Sequence, residues 1–222
     1  MGERKIKLVP GEFYHIYNRG NSKQIIFKDD FDYQRFQILL FLSNSSTNFK
    51  VENLRKGKID FFEADRGEQL VAIGAYCLMP NHYHLLLTPL VDDGVSLFMK
   101  KLGTGYSMFF NTRYDRTGTL FEGRYKSQWA DTDEYLKYLY SYIHLNPMKL
   151  YDANWKESVL QDTSITFIEN YLFSSYWDMC NEKKRREHKI LTNTAFPQYF
   201  SKSESASHIH DWFRARTDLA TD

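Results

Sequence analysis

The chain carries, between residues 75 and 88, the stretch Ala75-Tyr-Cys-Leu-Met-Pro-Asn-His-Tyr-His-Leu-Leu-Leu-Thr88. Two apolar, aromatic-rich runs flank Pro80-Asn81, a pair that is typical of a turn, so the stretch predicts a β-hairpin. Side chains alternate between the two faces of a strand, and His82 and His84 therefore project from the same side of the second run.

Two neutral imidazoles side by side on a strand provide half of a site for a divalent metal, with ring nitrogens as ligands. The ordinary alternative is a pair of surface or packed histidines on an amphipathic strand. Because a two-residue motif often arises by chance, His82 and His84 alone favour that alternative. The rest of the chain has to decide between the two interpretations.

A second informative segment covers residues 133–145, which the sequence predicts to be a helix that Pro147 ends. Tyr142 and Asn146 are four residues apart and therefore share one helix face. Tyr138 lies on a similar stripe, so the ordinary alternative is an aromatic packing face with Asn146 as a helix-ending residue. A tyrosine and an amide one turn apart, next to a strand with two histidines, are also the groups needed to break a DNA strand.

Periodicity along the chain indicates an α+β domain. We expect strands at 12–17, 70–78, 82–88 and 121–130, and helices at 30–42, 95–113 and 133–145. Residues 59–62 are expected to form a short strand or part of an excursion, residues 193–205 a loop, and residues 208–217 a terminal helix.

The composition bounds the class of protein without deciding it. The 222 residues suffice for one domain with an appendage, and the formal charge of +1 is not that of a general nucleic-acid binder. Cys77 and Cys180 cannot build a disulfide framework, and no apolar leader or membrane span stands out. We expect a cytoplasmic bacterial protein, associated with the nucleoid when it is bound to DNA.

Five segments in order carry a resemblance to a known family. They are Phe13-Tyr-His-Ile-Tyr-Asn-Arg-Gly20, residues 75–87, Gly118-Thr-Leu-Phe-Glu-Gly-Arg-Tyr-Lys126, Asp133-Glu-Tyr135 leading into Tyr142-Ile-His-Leu-Asn-Pro147, and Ser174-Ser-Tyr176. In these segments the chain resembles the HUH single-tyrosine, IS200-like transposases, and most closely their REP-associated tyrosine transposase branch. The resemblance spans roughly residues 10 to 180. Residues 43–67 are longer than the family's usual link, and the region after 181 has no counterpart.

The resemblance implies a ferredoxin-like antiparallel sheet with helices packed on one face, in a domain of residues 1–180 followed by a C-terminal extension, 181–222. It implies that Tyr142 attacks single-stranded DNA and forms a 5′-phosphotyrosine link, and that His82, His84 and Asn146 bind Mg²⁺ or Mn²⁺. It also implies hairpin-containing repetitive DNA as the substrate, and it favours a monomer over a homodimer.

Basic residues near these segments are candidates for contacts with DNA phosphates, although an ordinary solvated surface is the alternative for a scattered basic set. The candidates are Arg19, Lys100, Lys101, Arg113, Arg124 and Lys126.

Three other residues lie in or near the segments that carry the resemblance. His15 is a candidate for contacting the metal-binding histidines rather than the metal, and His144 is expected to be structural. Tyr138 is the main rival nucleophile.

Two other functions stay open. One is a catalytically silent, single-stranded DNA-binding or regulatory protein derived from a transposase. The other is an unrelated metallohydrolase, which would need another acid or carboxylate ligand near His82 and His84.

Overall fold

A computed structural model describes residues 7–49, 51–155, 161–199 and 201–218. Its strands are β1 (Phe13–Arg19), β2 (Val71–Met79), β3 (His82–Pro89) and β4 (Lys126–Ala130). Its α-helices are α1 (Asp30–Leu42), α2 (Val51–Lys56), α3 (Gly94–Arg113), α4 (Asp133–Leu145), α5 (Met148–Tyr151), α6 (Asp162–Glu169), α7 (Tyr176–Cys180) and α8 (Lys202–Asp218). The strands form one antiparallel sheet in the order β2-β3-β1-β4. The predicted α+β class with an antiparallel sheet is confirmed.

Hydrophobic layers cover both faces of this sheet, and every residue of β2 is buried between them. On one face, Tyr83 packs with Phe36 of α1 and Tyr106 of α3. On the other face, Leu86 belongs to the same apolar cluster as Ile143 of α4. Helices were expected on one face only; α1 and α3 lie there, and α4 adds a layer on the opposite face. The histidine face of β3 is therefore the face that the tyrosine helix covers.

The predicted bounds of α1 and α4 match the structure because each helix begins at a clear capping residue. The Asp29 carboxylate accepts the backbone N–H of Asp32 at 3.1 Å, and the Thr132 hydroxyl accepts that of Tyr135 at 3.1 Å. Helix α4 ends at Leu145 as predicted, but the chain does not become extended. Asn146, with φ −55° and ψ −38°, keeps a helical conformation and leads directly into α5.

Two predicted strands differ from the structure. Residues 121–130 are strand only from Lys126 onward, because Gly123 adopts a φ of +86° and turns the chain; Phe121 makes a single bridge to Gly20. The possible strand at 59–62 is a short 3₁₀ turn instead, in which the Asp60 carboxylate accepts the backbone N–H of Phe62 at 2.9 Å.

The long 43–67 segment is fastened to the body of the domain. Asn44 is fully buried; its amide donates to the Val71 carbonyl at 2.8 Å, and its oxygen accepts the backbone N–H of Leu70 at 2.9 Å. The Lys101 ammonium donates to the carbonyls of Ser45 and Thr47, each at 2.6 Å. The segment is thus an ordered addition beside α3.

The C-terminal extension packs against the same body. Ile209 and Phe213 of α8 are buried in a cluster with Trp155, and Thr192 donates its backbone N–H to the Ile73 carbonyl at 2.9 Å. The terminal helix begins at Lys202, earlier than the predicted residue 208, and the predicted 193–205 loop contains a short 3₁₀ turn at Asn193–Ala195. The domain boundary near residue 181 stays a prediction. No helix in the described ranges is long and apolar enough to cross a membrane.

Candidate active site

The two histidines of the hairpin lie side by side on the central strand β3. The register places His84 opposite Tyr17 on β1 and opposite Cys77 on β2, and it places His82 opposite Arg19. The ring centroids of His82 and His84 are 5.0 Å apart, with the rings almost perpendicular. Strands on both sides hold this backbone, so the pair is positioned by the sheet itself.

Both imidazoles are held neutral. Burial lowers the pKa of His82 to about 4, with the positive charges of Lys149 and Arg19 adding to the effect. Burial also lowers the pKa of His84 well below its usual value, with further contributions from His15, His82 and Lys149. The amide oxygen of Asn81 can only accept, so His82 donates from Nδ1 across 2.6 Å and keeps a lone pair on Nε2.

His15 meets His84 through a direct contact between ring nitrogens, with His15 Nε2 2.8 Å from His84 Nδ1. Burial lowers the pKa of His15 to about 4, so a single hydrogen between two neutral rings serves this contact. When His84 donates that hydrogen from Nδ1, its Nε2 carries a lone pair, which a metal ion needs.

Tyr142 packs edge-on against this histidine pair. Its ring centroid lies 5.5 Å from that of His84 and 5.7 Å from that of His15. Tyr138, the rival nucleophile, packs between Tyr142 and Trp212 of α8 at centroid distances of 5.6 and 4.7 Å. Of these two tyrosines on α4, Tyr142 is therefore the one placed on the histidines.

Tyr17 is a second tyrosine at the site, which sequence reasoning missed. Its ring centroid is 4.9 Å from that of His15 and 6.0 Å from that of His84. The only signal in the sequence was its place in the first family segment, because its approach to His84 depends on the pairing of β1 with β3.

Asn146 is tied to the same turn as Tyr142. The amide nitrogen donates to the Tyr142 carbonyl at 2.8 Å, which orients the amide oxygen toward Lys149, whose Nζ lies 3.2 Å away. The side chain is almost fully buried. The bond from Asn146 to the Tyr142 carbonyl makes the position of the amide oxygen and that of the tyrosine interdependent.

The donor set fits a divalent cation in its chemistry. In the described part of the chain, no three His, Cys, Asp or Glu side chains are grouped so that they could hold a metal ion. Besides the imidazoles of His82 and His84, the amide oxygen of Asn146 is a candidate ligand, because this amide bonds to the carbonyl of Tyr142, whose ring packs against His84. Amide oxygen and imidazole nitrogen are both ordinary ligands of divalent metals.

The six basic candidates for DNA contacts fall into different surroundings. Arg19 forms a bidentate ion pair with Glu122. Arg113 pairs with Asp29 and Asp32 at 2.7 Å each. Lys101 makes the two carbonyl contacts that fasten the 43–67 segment, so a phosphate at Arg113 or Lys101 would have to replace intramolecular partners.

Lys100 and Arg124 line a cavity of about 870 Å³ between α3 and the loop before β4. Tyr83 also lines this cavity, so it lies on the sheet face opposite the histidines. Tyr125 and the largely exposed Met108 contribute apolar surface. Lys126 begins β4 and is exposed. Sequence reasoning identified the basic residues but not the concave surface that two of them share.

Comparisons with known proteins identify the family and a similar fold. The model of the family described as Transposase IS200 like matches residues 13–146, which include His82, His84, Tyr142 and Asn146. A solved structure of a REP-associated tyrosine transposase bound to a REP hairpin has a similar fold, with a TM-score of 0.50 and 15% sequence identity. The similarity covers 81% of this chain and 85% of that one. A comparison with curated proteins finds no match. Because the family match spans more than half of its length, the chain belongs to the IS200-like transposases.

Proposed function

We propose that the protein is a metal-dependent endonuclease and strand-transferase that acts on single-stranded, hairpin-containing DNA through a 5′-phosphotyrosine intermediate. The observation that carries this proposal is the packing of the Tyr142 ring against that of His84. The side-chain amide of Asn146, one turn later, bonds to the Tyr142 carbonyl. Two neutral imidazoles, an amide oxygen and a tyrosine hydroxyl are the groups that this reaction requires.

Each residue has a separate task in the reaction. The Tyr142 hydroxyl attacks the phosphorus, loses its proton and forms the tyrosine–phosphate ester, while the bond to the 3′ oxygen breaks and that oxygen takes up a proton. A divalent cation bound by His82, His84 and Asn146 would polarise the oxygens of that phosphate. His15 holds the tautomer of His84, and the bond from Asn146 to the Tyr142 carbonyl keeps the tyrosine in place. Attack on the ester by another 3′ hydroxyl completes strand transfer.

Substrate recognition is proposed to use the face opposite the histidines as well. The cavity between α3 and the loop before β4 presents Lys100 and Arg124 next to aromatic and apolar side chains. Basic side chains contact the phosphate backbone, and exposed bases of single strands stack on aromatic rings. The strand that reaches Tyr142 would continue past the sheet to this cavity.

The test is a denaturing gel of the protein mixed with labelled single-stranded hairpin oligonucleotides, in Mg²⁺, Mn²⁺ or EDTA. We expect a metal-dependent covalent adduct that Tyr142→Phe abolishes. Tyr17→Phe and Tyr138→Phe are matched controls, because both remove a hydroxyl from the same aromatic cluster, and both should retain the adduct. An adduct that survives Tyr142→Phe and disappears in one of the control variants would show that the tyrosine replaced in that control is the nucleophile.

The catalytically silent DNA-binding protein is the second candidate, and one contact favours it. The Lys149 ammonium lies at the amide oxygen of Asn146, where a lysine could replace a metal ion. Binding to hairpin oligonucleotides without cleavage in any divalent metal would support this candidate. Metal-dependent cleavage without a covalent adduct would instead indicate a hydrolase that uses water.

A further inference from the structure

Lys149 brings a positive charge to the edge of the candidate active site, and sequence reasoning did not single it out. It lies on α5, one turn after Asn146, and its Nζ is 3.2 Å from the amide oxygen of that residue. The other end of the same amide donates to the Tyr142 carbonyl. The Lys149 ammonium is therefore linked by two hydrogen bonds, through the buried Asn146 amide, to the backbone of Tyr142.

The charge of Lys149 lies at one of the groups that would hold the metal. A positive charge close to a metal-binding site opposes the binding of a divalent cation there. Because the Lys149 ammonium is 3.2 Å from the amide oxygen of Asn146, it would compete with the metal ion for that oxygen.

On the basis of the proposed function, we propose that Lys149 is a further catalytic residue, whose ammonium exchanges its contact with Asn146 for a contact with the DNA. In the metal-free protein its ammonium donates a hydrogen bond to the amide oxygen of Asn146. When that oxygen becomes a metal ligand, the ammonium moves onto a non-bridging oxygen of the scissile phosphate. The exchange makes no covalent change and needs no other reactant.

The chemistry of the lysine suits the second contact. Its ammonium is a compact charge on a flexible four-carbon stem with three donors, and lysine binds phosphate as a point charge. The side chain is exposed at the surface, whereas the amide that it contacts is buried, so the ammonium can swing outward without disturbing the core. The phosphate that Tyr142 attacks must lie between the tyrosine and the metal-binding groups, which is where the displaced ammonium would find it.

Removal of the Lys149 charge is expected to strengthen metal binding and to slow cleavage. Lys149→Met removes the charge and keeps most of the length of the side chain, so Mn²⁺ should bind several-fold more tightly to the protein without DNA. At saturating Mn²⁺ the same variant should form the Tyr142 adduct at least about tenfold more slowly, as is usual when a contact to a reacting oxygen is lost. Lys149→Arg keeps the charge and should retain most of the adduct rate. Lys56→Met, at an exposed position on α2, is the control for the loss of one charge far from the site.

The experiment combines two readouts on the full chain. Mn²⁺ binding is measured without DNA, from the electron paramagnetic resonance signal of the free ion, and adduct formation is measured at saturating Mn²⁺. Equal Mn²⁺ affinity of Lys149→Met and the wild-type protein would overturn the exchange at Asn146. An unchanged adduct rate would overturn the contact with phosphate.

Failure of the proposed function would give a different pattern. A wild-type protein that forms no Tyr142-dependent adduct with any hairpin would remove the catalytic role of Lys149 together with that function. The Mn²⁺ titration of Lys149→Met would nevertheless still decide, on the protein alone, whether the ammonium competes for the amide oxygen.

Discussion

The imidazoles of His15 and His84 share one hydrogen between facing nitrogens, His15 Nε2 and His84 Nδ1, at 2.8 Å. The two rings come from adjacent strands, β1 and β3, whose register brings them to the same face of the sheet. Since each imidazole has only two nitrogens, the position of this hydrogen decides whether His84 Nε2 carries a lone pair or a proton.

The first prediction concerns the acceptor that His15 provides. His15→Phe removes it, so the metal-binding tautomer of His84 loses its partner, and we expect Mn²⁺ affinity to fall about tenfold. His15→Gln keeps an acceptor oxygen and should lose less. Titration of the three proteins with Mn²⁺ measures the difference, and equal affinities of His15→Phe and the wild-type protein would show that His15 has no such role.

The second prediction concerns stability toward acid. The pKa values of His15, His82 and His144 are lowered to about 4 by burial, from an ordinary value of 6.5. Below pH 6.5 the unfolded chain therefore binds protons that the folded protein does not yet bind, so the free energy of unfolding decreases as the pH falls toward 4. Each such histidine contributes a slope of up to about 1.4 kcal/mol per pH unit.

Urea unfolding at pH 7.5, 6 and 5 measures this slope. The pH 5 limit keeps the titration of carboxylates mostly outside the window. His144→Phe removes one of the titrating groups and should give a shallower slope, whatever its effect on stability at pH 7.5. A free energy of unfolding that is flat from pH 7.5 to pH 5 would contradict the neutral state of the buried histidines.

Much of the fold could be predicted because its signals are local. The hairpin follows from Pro80-Asn81 between two apolar runs, and α1 and α4 begin at Asp29 and Thr132, whose side chains cap them. The sequence also indicated His82, His84 and Tyr142, whose rings lie together in the structure; the alternation of side chains along a strand fixes that the two histidines share a face.

What sequence reasoning missed depends on contacts between distant segments. Tyr17 reaches the site because β1 pairs with β3 in one particular register, and Lys149 does so because Asn146 stays helical before Pro147. The partners of Arg113 likewise lie far along the chain, in the first turn of α1 and at its cap. Charge alone marks such an arginine as a candidate for DNA but cannot reveal an acidic partner already in place.

The third prediction compares two glycines of α3 that differ in the space around them. A Cβ at Gly94, where α3 begins, would lie 2.1 Å from the backbone oxygen of Leu70, so Gly94→Ala forces the start of α3 away from the residue just before β2. We expect a loss of about 1–3 kcal/mol in the free energy of unfolding. A Cβ at Gly103, within α3, would meet nothing within 4 Å, so Gly103→Ala should stabilise the protein by about 0.5–1 kcal/mol. Thermal unfolding of both variants measures the contrast, and a neutral Gly94→Ala would mean that the approach of Leu70 is not required.

The last prediction concerns the attachment of the tyrosine helix to the edge of the sheet. His144 of α4 is fully buried, and its Nε2 lies 2.7 Å from the Ser175 hydroxyl, which also accepts the backbone N–H of Tyr76 on β2 at 2.9 Å. Ser175→Ala leaves both groups buried without this partner, and we expect it to cost about 1–3 kcal/mol in the free energy of unfolding.

Ser174→Ala is the matched control for Ser175→Ala. Ser174 is equally buried, but its hydroxyl makes only longer contacts, at 3.3 Å to the backbone N–H of Tyr176 and 3.4 Å to the Tyr171 carbonyl. Its substitution should therefore cost less. Because His144 is two residues from Tyr142, Ser175→Ala should also slow adduct formation at a temperature where the variant is folded. Equal costs for the two serine variants would show that the contact with His144 does not hold α4 to the sheet.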